Sequence, residues 1–279
     1  MKILLHATFP VVLAFALPAF AGAVRSPSGA STNTLAGNDD GSTGAVALGF
    51  TLNFFGANSP TVFVNNNGNV TFTSALSQFT PNGLSSGVGQ PIIAAYFADV
   101  DTRAGNLTHY GTGTITDATL GWSSASFFGV EWPAVGYYSV HTDKLNTFEL
   151  LLVSRPDTGA GNFDIEFNYD SMLWETGDAS GGSGGLGGTS AAVGYSNGLS
   201  GGSNVFFQLP GSLVNGALIN GGPNALITHS LNSNTLGRYD FQVRGGAVVG
   251  GGVPEPGSLL LLGGGLLGLS LMRRRKKSA

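Results

Sequence analysis

The chain has no cysteine. Disulfides, thiolate metal sites, iron–sulfur centres and thiol catalysis are therefore excluded, and the fold rests on its core and hydrogen bonds alone. Charge is also scarce, at 10% of residues, which is too little for the solvated faces of surface helices. Away from the chain ends no stretch sustains a 3.6-residue apolar period, so long amphipathic helices are not expected. Cations are the scarcest class in the body. Lys2 and Arg273, Arg274, Arg275, Lys276 and Lys277 take half of the twelve to the extreme ends, whereas Glu255 is the only one of sixteen acids there. The remaining fifteen acids outnumber six cations, and such a body repels phosphate, which disfavours nucleic acid as a partner.

Glycine, with 45 residues, and the small polar types fill the space left by charge. They favour strands and turns. Phe163, Ile165, Phe167 and Tyr169 alternate with Asp164, Glu166 and Asn168, and Tyr239, Phe241 and Val243 alternate with Arg238, Asp240, Gln242 and Arg244. This period of two predicts strands with one buried face and one wet face. Thr147 to Val153 and Pro91 to Val100 are more continuously apolar, as in strands covered on both sides. Val62-Phe63-Val64 and Val70-Thr71-Phe72 flank Asn65-Asn66-Asn67-Gly68-Asn69, a hairpin whose turn residues tolerate positive φ. Asp178 to Thr189, mostly Gly and Ser, reads as a mobile surface loop. The expected fold is mainly β, an antiparallel β-sandwich-like single domain over residues 22–244, followed by a Gly-rich spacer at 245–252.

The two ends carry a different signal. Lys2 precedes an apolar run from Ile3 to Phe20, and Ala19-Phe20-Ala21 is a small-x-small cleavage pattern with Ala21-Gly22-Ala23 as a second choice. Residues 1–21 therefore read as a secretory signal peptide cut at Ala19/Ala21. At residues 253–279, Pro254, Glu255 and Pro256 precede an uncharged apolar segment, 257–272, and the basic stop 273–277. As a helix the apolar segment spans about 24 Å, short for a permanent crossing of a core of about 30 Å. The cations hold that end in the cytoplasm and the body outside.

This tail resembles the PEP-CTERM sorting signal of Gram-negative bacteria, with Pro254-Glu255-Pro256 as the motif. The resemblance implies an exosortase and the secretion machinery as partners. It also implies a transient stay in the inner membrane through the C-terminal segment, then the cell surface or extracellular matrix.

The body in turn resembles a nidogen-like (NIDO) extracellular domain. Phe50 to Gly56 is similar to its opening strand, Val64 to Phe72 to its Asn-Gly hairpin, and Ile93 to Asp101 to its aromatic-Ala-Asp-x-Asp strand. Val130-Glu131-Trp132, Asn146 to Glu149 and Tyr169 to Trp174 follow in the family's order. Ala95 and Glu149 depart from the family's usual Pro and Gln.

Asp99 and Asp101, at the end of a hydrophobic strand, are the candidate metal ligands. Spacing by two puts both carboxylates on one face, where they repel unless something positive joins them. Calcium, with six to eight oxygen ligands, meets that need; so does Arg103, which leaves a purely structural turn as the other reading. No catalytic residue and no other cofactor are expected. Gly194-Tyr195-Ser196-Asn197-Gly198 matches a nucleophile elbow but lacks the strand–turn–helix context. Gly182 to Gly187 matches G-x-G-x-x-G inside the Gly loop. His109, His141 and His229 show no zinc spacing.

The expected function is a non-enzymatic surface or matrix protein in adhesion or in exopolysaccharide and biofilm contacts, with extracellular polysaccharide or surface proteins as partners. Two alternatives are a glycan-binding module, using Trp122, Trp132 and Trp174 as stacking faces, and a polysaccharide-active enzyme using Asp164 and Glu166.

Overall fold

The computed structural model describes residues 22–249. The expected signal peptide with Ala19 and Ala21, the motif Pro254–Pro256, the apolar segment 257–272 expected as a helix and the basic stop Arg273 to Lys277 lie outside the described residues.

The strands follow in chain order as β1 (Asn33–Leu35), β2 (Val46–Phe54), β3 (Ala57–Asn65), β4 (Asn69–Thr71), β5 (Ile92–Phe97), β6 (Val100–Asp101) and β7 (Thr108–Asp117). They continue as β8 (Trp122–Tyr137), β9 (His141–Ser154), β10 (Phe163–Ser171), β11 (Ala192–Ser196), β12 (Phe206–Gln208), β13 (Arg238–Arg244) and β14 (Ala247–Val249). Helix among the described residues is confined to short 3₁₀ turns. The strands form two antiparallel sheets. The larger runs β1-β7-β8-β9-β10-β13-β14, with β6 also on β8, and the smaller runs β12-β11-β5-β4-β3-β2. This is the sandwich-like arrangement expected from the alternating pattern.

One core fills the space between the sheets. Phe163, Ile165, Phe167 and Tyr169 from β10, Leu150 and Leu152 from β9 and Val130 and Trp132 from β8 meet Val62, Val64, Ile93 and Val193 from the smaller sheet. Trp132 stacks on Phe148 at 4.8 Å and 11°. The continuously apolar segments are covered on both faces as expected, since Phe148 to Val153 and Ile92 to Phe97 are buried throughout.

The outer face of the larger sheet departs from the expected wet face. Asp164, Glu166, Asn168 and Asp240 are all buried. Register explains why. His109 of β7, Glu131 of β8, Glu149 of β9, Asn168 of β10 and Arg238 of β13 lie side by side in one row across five strands. Residues 22–32 cross over this row. The backbone N–H groups of Arg25 and Ser26 donate to Glu149 at 3.1 and 3.0 Å. Ser31 donates to Glu131 at 2.6 Å, and Ala30 packs with Phe127, Leu151 and Val153. Carboxylates on a strand face read as solvated unless a cation from elsewhere in the chain neutralises them; here Arg25 of the strap does so for Glu166, and Arg155 and Arg244 do so for Asp164.

Two further expectations change. The Gly-rich loop is tied down rather than mobile: Glu175 N and Thr176 N donate to Gly185 O at 2.8 and 3.1 Å, and Thr189 N donates to Ser180 O at 2.9 Å. The spacer at 245–252 begins as structure, because Gly245 and Gly246, at φ 57° and 83°, turn the chain into β14, which pairs with β13 from Gln242 to Arg244.

Candidate functional site

The site begins with the asparagine turn between β3 and β4. Asn65, Asn66, Asn67 and Asn69 are all buried, so each polar atom needs a partner inside the protein. Asn65 Nδ2 donates to Asn69 Oδ1 and Thr71 Oγ1. Asn66 Nδ2 donates to the carbonyls of Asp39 at 2.7 Å and Val100 at 2.6 Å, while its carbonyl accepts from Trp132 Nε1 at 3.0 Å. Asn67 Nδ2 donates to Asp40 Oδ1 at 2.9 Å, and Asn67 Oδ1 accepts from Val100 N at 2.9 Å. Gly68 closes the turn at φ 73°. The turn thus clamps two segments far apart in sequence, residues 38–41 and the β5–β6 junction.

The clamp brings Asp39, Asp40 and Asp99 together. One carboxylate oxygen from each lies within 4.8 Å of the others; Asp39 and Asp40 are half-buried and Asp99 is buried. No hydrogen bond reaches Asp99 Oδ2 or Asp39 Oδ1. Burial, followed by repulsion from Asp39, Asp40, Asp101 and Asp178, pushes the Asp99 carboxyl up to about 7. Burial and Asp40 push Asp39 up to about 6, against a smaller pull from Arg103. Three carboxylates converge here with little to neutralise them.

Asp101 behaves differently from Asp99. Arg103 Nη2 and Nε donate to its carboxylate at 2.5 and 2.9 Å, and the N–H groups of Arg103 and Val140 add bonds at 3.0 and 2.8 Å. Burial acts to raise its pKa, but these donors outweigh it and hold the carboxyl below the usual range. The positive partner that the Asp99–Asp101 spacing called for is, at Asp101, the Arg103 side chain. The acidic cluster uses Asp99 with Asp39 and Asp40 instead.

Sequence reasoning missed Asp39 and Asp40. Their only local signal is a polar Asn38-Asp39-Asp40-Gly41 turn; nothing along the chain announces that an asparagine hairpin and a strand end will meet it.

The other candidates separate cleanly. Trp122, Trp132 and Trp174 are all buried, so they present no row of stacking faces. Glu166 is held by Arg25 and Asp164 by Arg155 at 2.6 and 2.7 Å. A cavity of about 220 Å³ borders Trp122, Asp164 and Asp240, whereas Glu166 is fully buried. Ser196 ends β11, donating to Asn204 and accepting from Gly198 N, in a sheet of antiparallel strands rather than at a strand–helix elbow. His109 contacts Thr34, His141 contacts Asp178 and His229 contacts Ala225 O, so the three are dispersed.

Comparisons with known proteins show the family of the chain. Residues 60–245 match the nidogen-like domain, and residues 252–276 match the PEP-CTERM protein-sorting motif. Mouse and human alpha-tectorin are each 35% identical over 225 residues, covering 74% of this chain; chicken alpha-tectorin is 33% identical over 246 residues, covering 81%. The chain spans about 10% of the length of these relatives. No solved structure matches. The chain belongs to the nidogen-like domain family. It is related to alpha-tectorin, and its sorting motif implies an exported protein handled by an exosortase.

Proposed function

We propose that the chain is a non-enzymatic protein of a Gram-negative bacterium. In this reading it is exported, held briefly in the inner membrane, and then displayed at the cell surface or in the extracellular matrix. There its β body, 22–244, acts in adhesion or in exopolysaccharide and biofilm contacts. The observation that carries the reading is the joining of a nidogen-like body to a PEP-CTERM tail in one chain.

Structural features support it. The two carboxylates that the enzyme alternative would use are held in internal ion pairs: Arg25 covers Glu166, and Arg155 and Arg244 hold Asp164. A hydrolase instead needs two carboxylates free in a cleft. Burial of the three tryptophans weighs against the glycan-stacking alternative.

The test is localisation with a phenotype. Cells expressing the chain with Pro254, Glu255 and Pro256 replaced by alanine are expected to keep the protein in the inner membrane and to lose cell–cell aggregation. Unchanged surface exposure and aggregation would remove the reading. Release of reducing ends from exopolysaccharide by the purified protein would favour the enzyme.

A further inference from the structure

We infer that Asp39, Asp40 and Asp99 form a calcium site built on the asparagine turn. The inference is independent of where the protein is displayed, and it moves the expected site from Asp99 and Asp101 to a different set of ligands.

Geometry carries it. The three carboxylate oxygens lie within 4.8 Å of one another, and two oxygens on opposite sides of a calcium ion with bonds of about 2.4 Å span about that distance. The donor set is all oxygen, with no imidazole or thiolate among the clustered groups, which selects a hard cation over zinc or copper. Asp99 supplies the independent observation. It is 2% exposed, and no donor reaches its Oδ2. A buried carboxylate normally collects hydrogen bonds or a cation. The nearest guanidinium, Arg103, is committed to Asp101 at 2.5 Å and stands 3.4 Å from Asp39.

The surroundings are those of a supported site. Asn67 Nδ2 fixes one oxygen of Asp40 and leaves the other free, and Asn66 Nδ2 fixes the backbone of Asp39. Ligating carboxylates held by neighbouring amides keep their orientation. Because Asp39 and Asp40 are half-buried, the site opens to solvent on their side, giving the ion a route in and room for water ligands. Binding there would tie residues 38–41 to the β5–β6 junction more firmly than the amide bonds alone.

The experiment titrates CaCl₂ into the purified exported protein by calorimetry and follows its melting temperature. Calcium at 1 mM is expected to raise the Tm by several degrees, and Asp99→Asn and Asp40→Asn are each expected to lower the affinity by about tenfold or more. Asp99→Asn removes a repelled charge, so it should melt no lower than the parent in EDTA. Asp40→Asn, on a half-exposed residue, is the second variant should the first fail to fold. The exposed acid Asp157, replaced by Asn, should leave calcium binding unchanged. Absence of heat and of a Tm shift in the parent would overturn the inference. So would a shift that survives in both cluster variants, or an equal shift with MgCl₂.

Discussion

Arg25 grips Glu166 with two teeth: Nε donates to Oε1 at 2.6 Å and Nη2 to Oε2 at 2.8 Å. The same guanidinium reaches Asp117 at 2.8 Å and lies over the Trp122 ring at 5.2 Å. Glu166 is completely buried, and the next cation, Arg238, stands 3.5 Å away. Removing one partner of a buried pair strands the other charge, which costs about 3–5 kcal/mol. Arg25→Ala should therefore lower stability by about 3 kcal/mol, with Arg238 limiting the loss. Arg25→Lys should cost less, because charge remains while the fork is lost. Urea unfolding of the three forms measures this. An effect below about 1 kcal/mol for Arg25→Ala would mean that the strap is not held by this pair.

The same face sets a pH dependence. Asp240 sits opposite Glu166 in register. Burial, then repulsion by Glu166, holds its carboxyl well above the ordinary range, against a smaller pull from Arg238 and Arg25. Glu149 is pushed up to about 7 by burial, against the pull of Arg25 N–H and Asn168. A raised carboxyl keeps its proton in the folded state after the unfolded chain has lost it. From about pH 4.5 to 7 the native state thus binds more protons, and stability falls as pH rises. Asp117 acts in the other direction. Burial acts to raise it, but Thr119 and Arg25 bring it down to about 2, so its contribution is lost only as pH drops from about 4 toward 2. The Tm should peak on the acidic side of neutrality and decline toward pH 8. Asp240→Asn should flatten that decline and exceed the parent at pH 8. A parent Tm that rises from pH 5 to 8 would contradict this.

Much of the sandwich was legible because its signals are local. Phe163 to Tyr169 and Tyr239 to Val243 each announce an inner face by alternation alone, and they pair with one another from Phe163↔Val243 to Phe167↔Tyr239. Alternation does not say what covers the other face. Glu166 read as solvent-facing because the segment that buries it begins about 140 residues earlier, at Arg25. The same limit hid the acidic cluster: Asp99 was visible at a strand end, but Asp39 and Asp40 are brought to it by Asn66, Asn67 and Thr102, all distant from them along the chain. Local chemistry was also readable in part at Asp101, where Arg103, two residues on, was one of the two partners the spacing allowed.

Gly68 is the tightest point of the turn that supports the cluster. Its backbone is at φ 73°, and a Cβ there would lie 1.8 Å from the carbonyl oxygen of Tyr96. Tyr96 N in turn donates to Gly68 O at 2.9 Å, so neither backbone can withdraw without breaking the contact of the turn with β5. Gly68→Ala combines left-handed strain of about 1–3 kcal/mol with a backbone clash that no rotamer change relieves. A loss of at least about 3 kcal/mol is expected, with reduced expression of folded protein. Thermal melts test it, and a Tm within a degree or two of the parent would show that the turn repacks.

Two alanine patterns are candidate sites for the expected signal cleavage, and the fold distinguishes the chains they would leave. Cleavage after Ala21 leaves Gly22 as the first residue; cleavage after Ala23 leaves Val24. Ala23 is 2% exposed, and its carbonyl accepts from Arg238 Nη2 at 3.0 Å. Val24 N donates to Asp170 Oδ1 at 2.9 Å, and a Cβ on Gly22 would lie 2.4 Å from the same carboxylate. A new α-ammonium at Gly22 would therefore form beside Asp170, an exposed pairing worth up to about 1 kcal/mol. Loss of Ala23 would instead empty a buried position and remove an acceptor from Arg238, whose Nε also serves Asn168 and stands near Glu166. Intact-mass measurement of the exported protein should find Gly22 as the first residue. A form engineered to start at Val24 should melt lower. Equal melting of the two forms, or Val24 as the natural start, would show that the row of polar residues does not depend on how the strap begins.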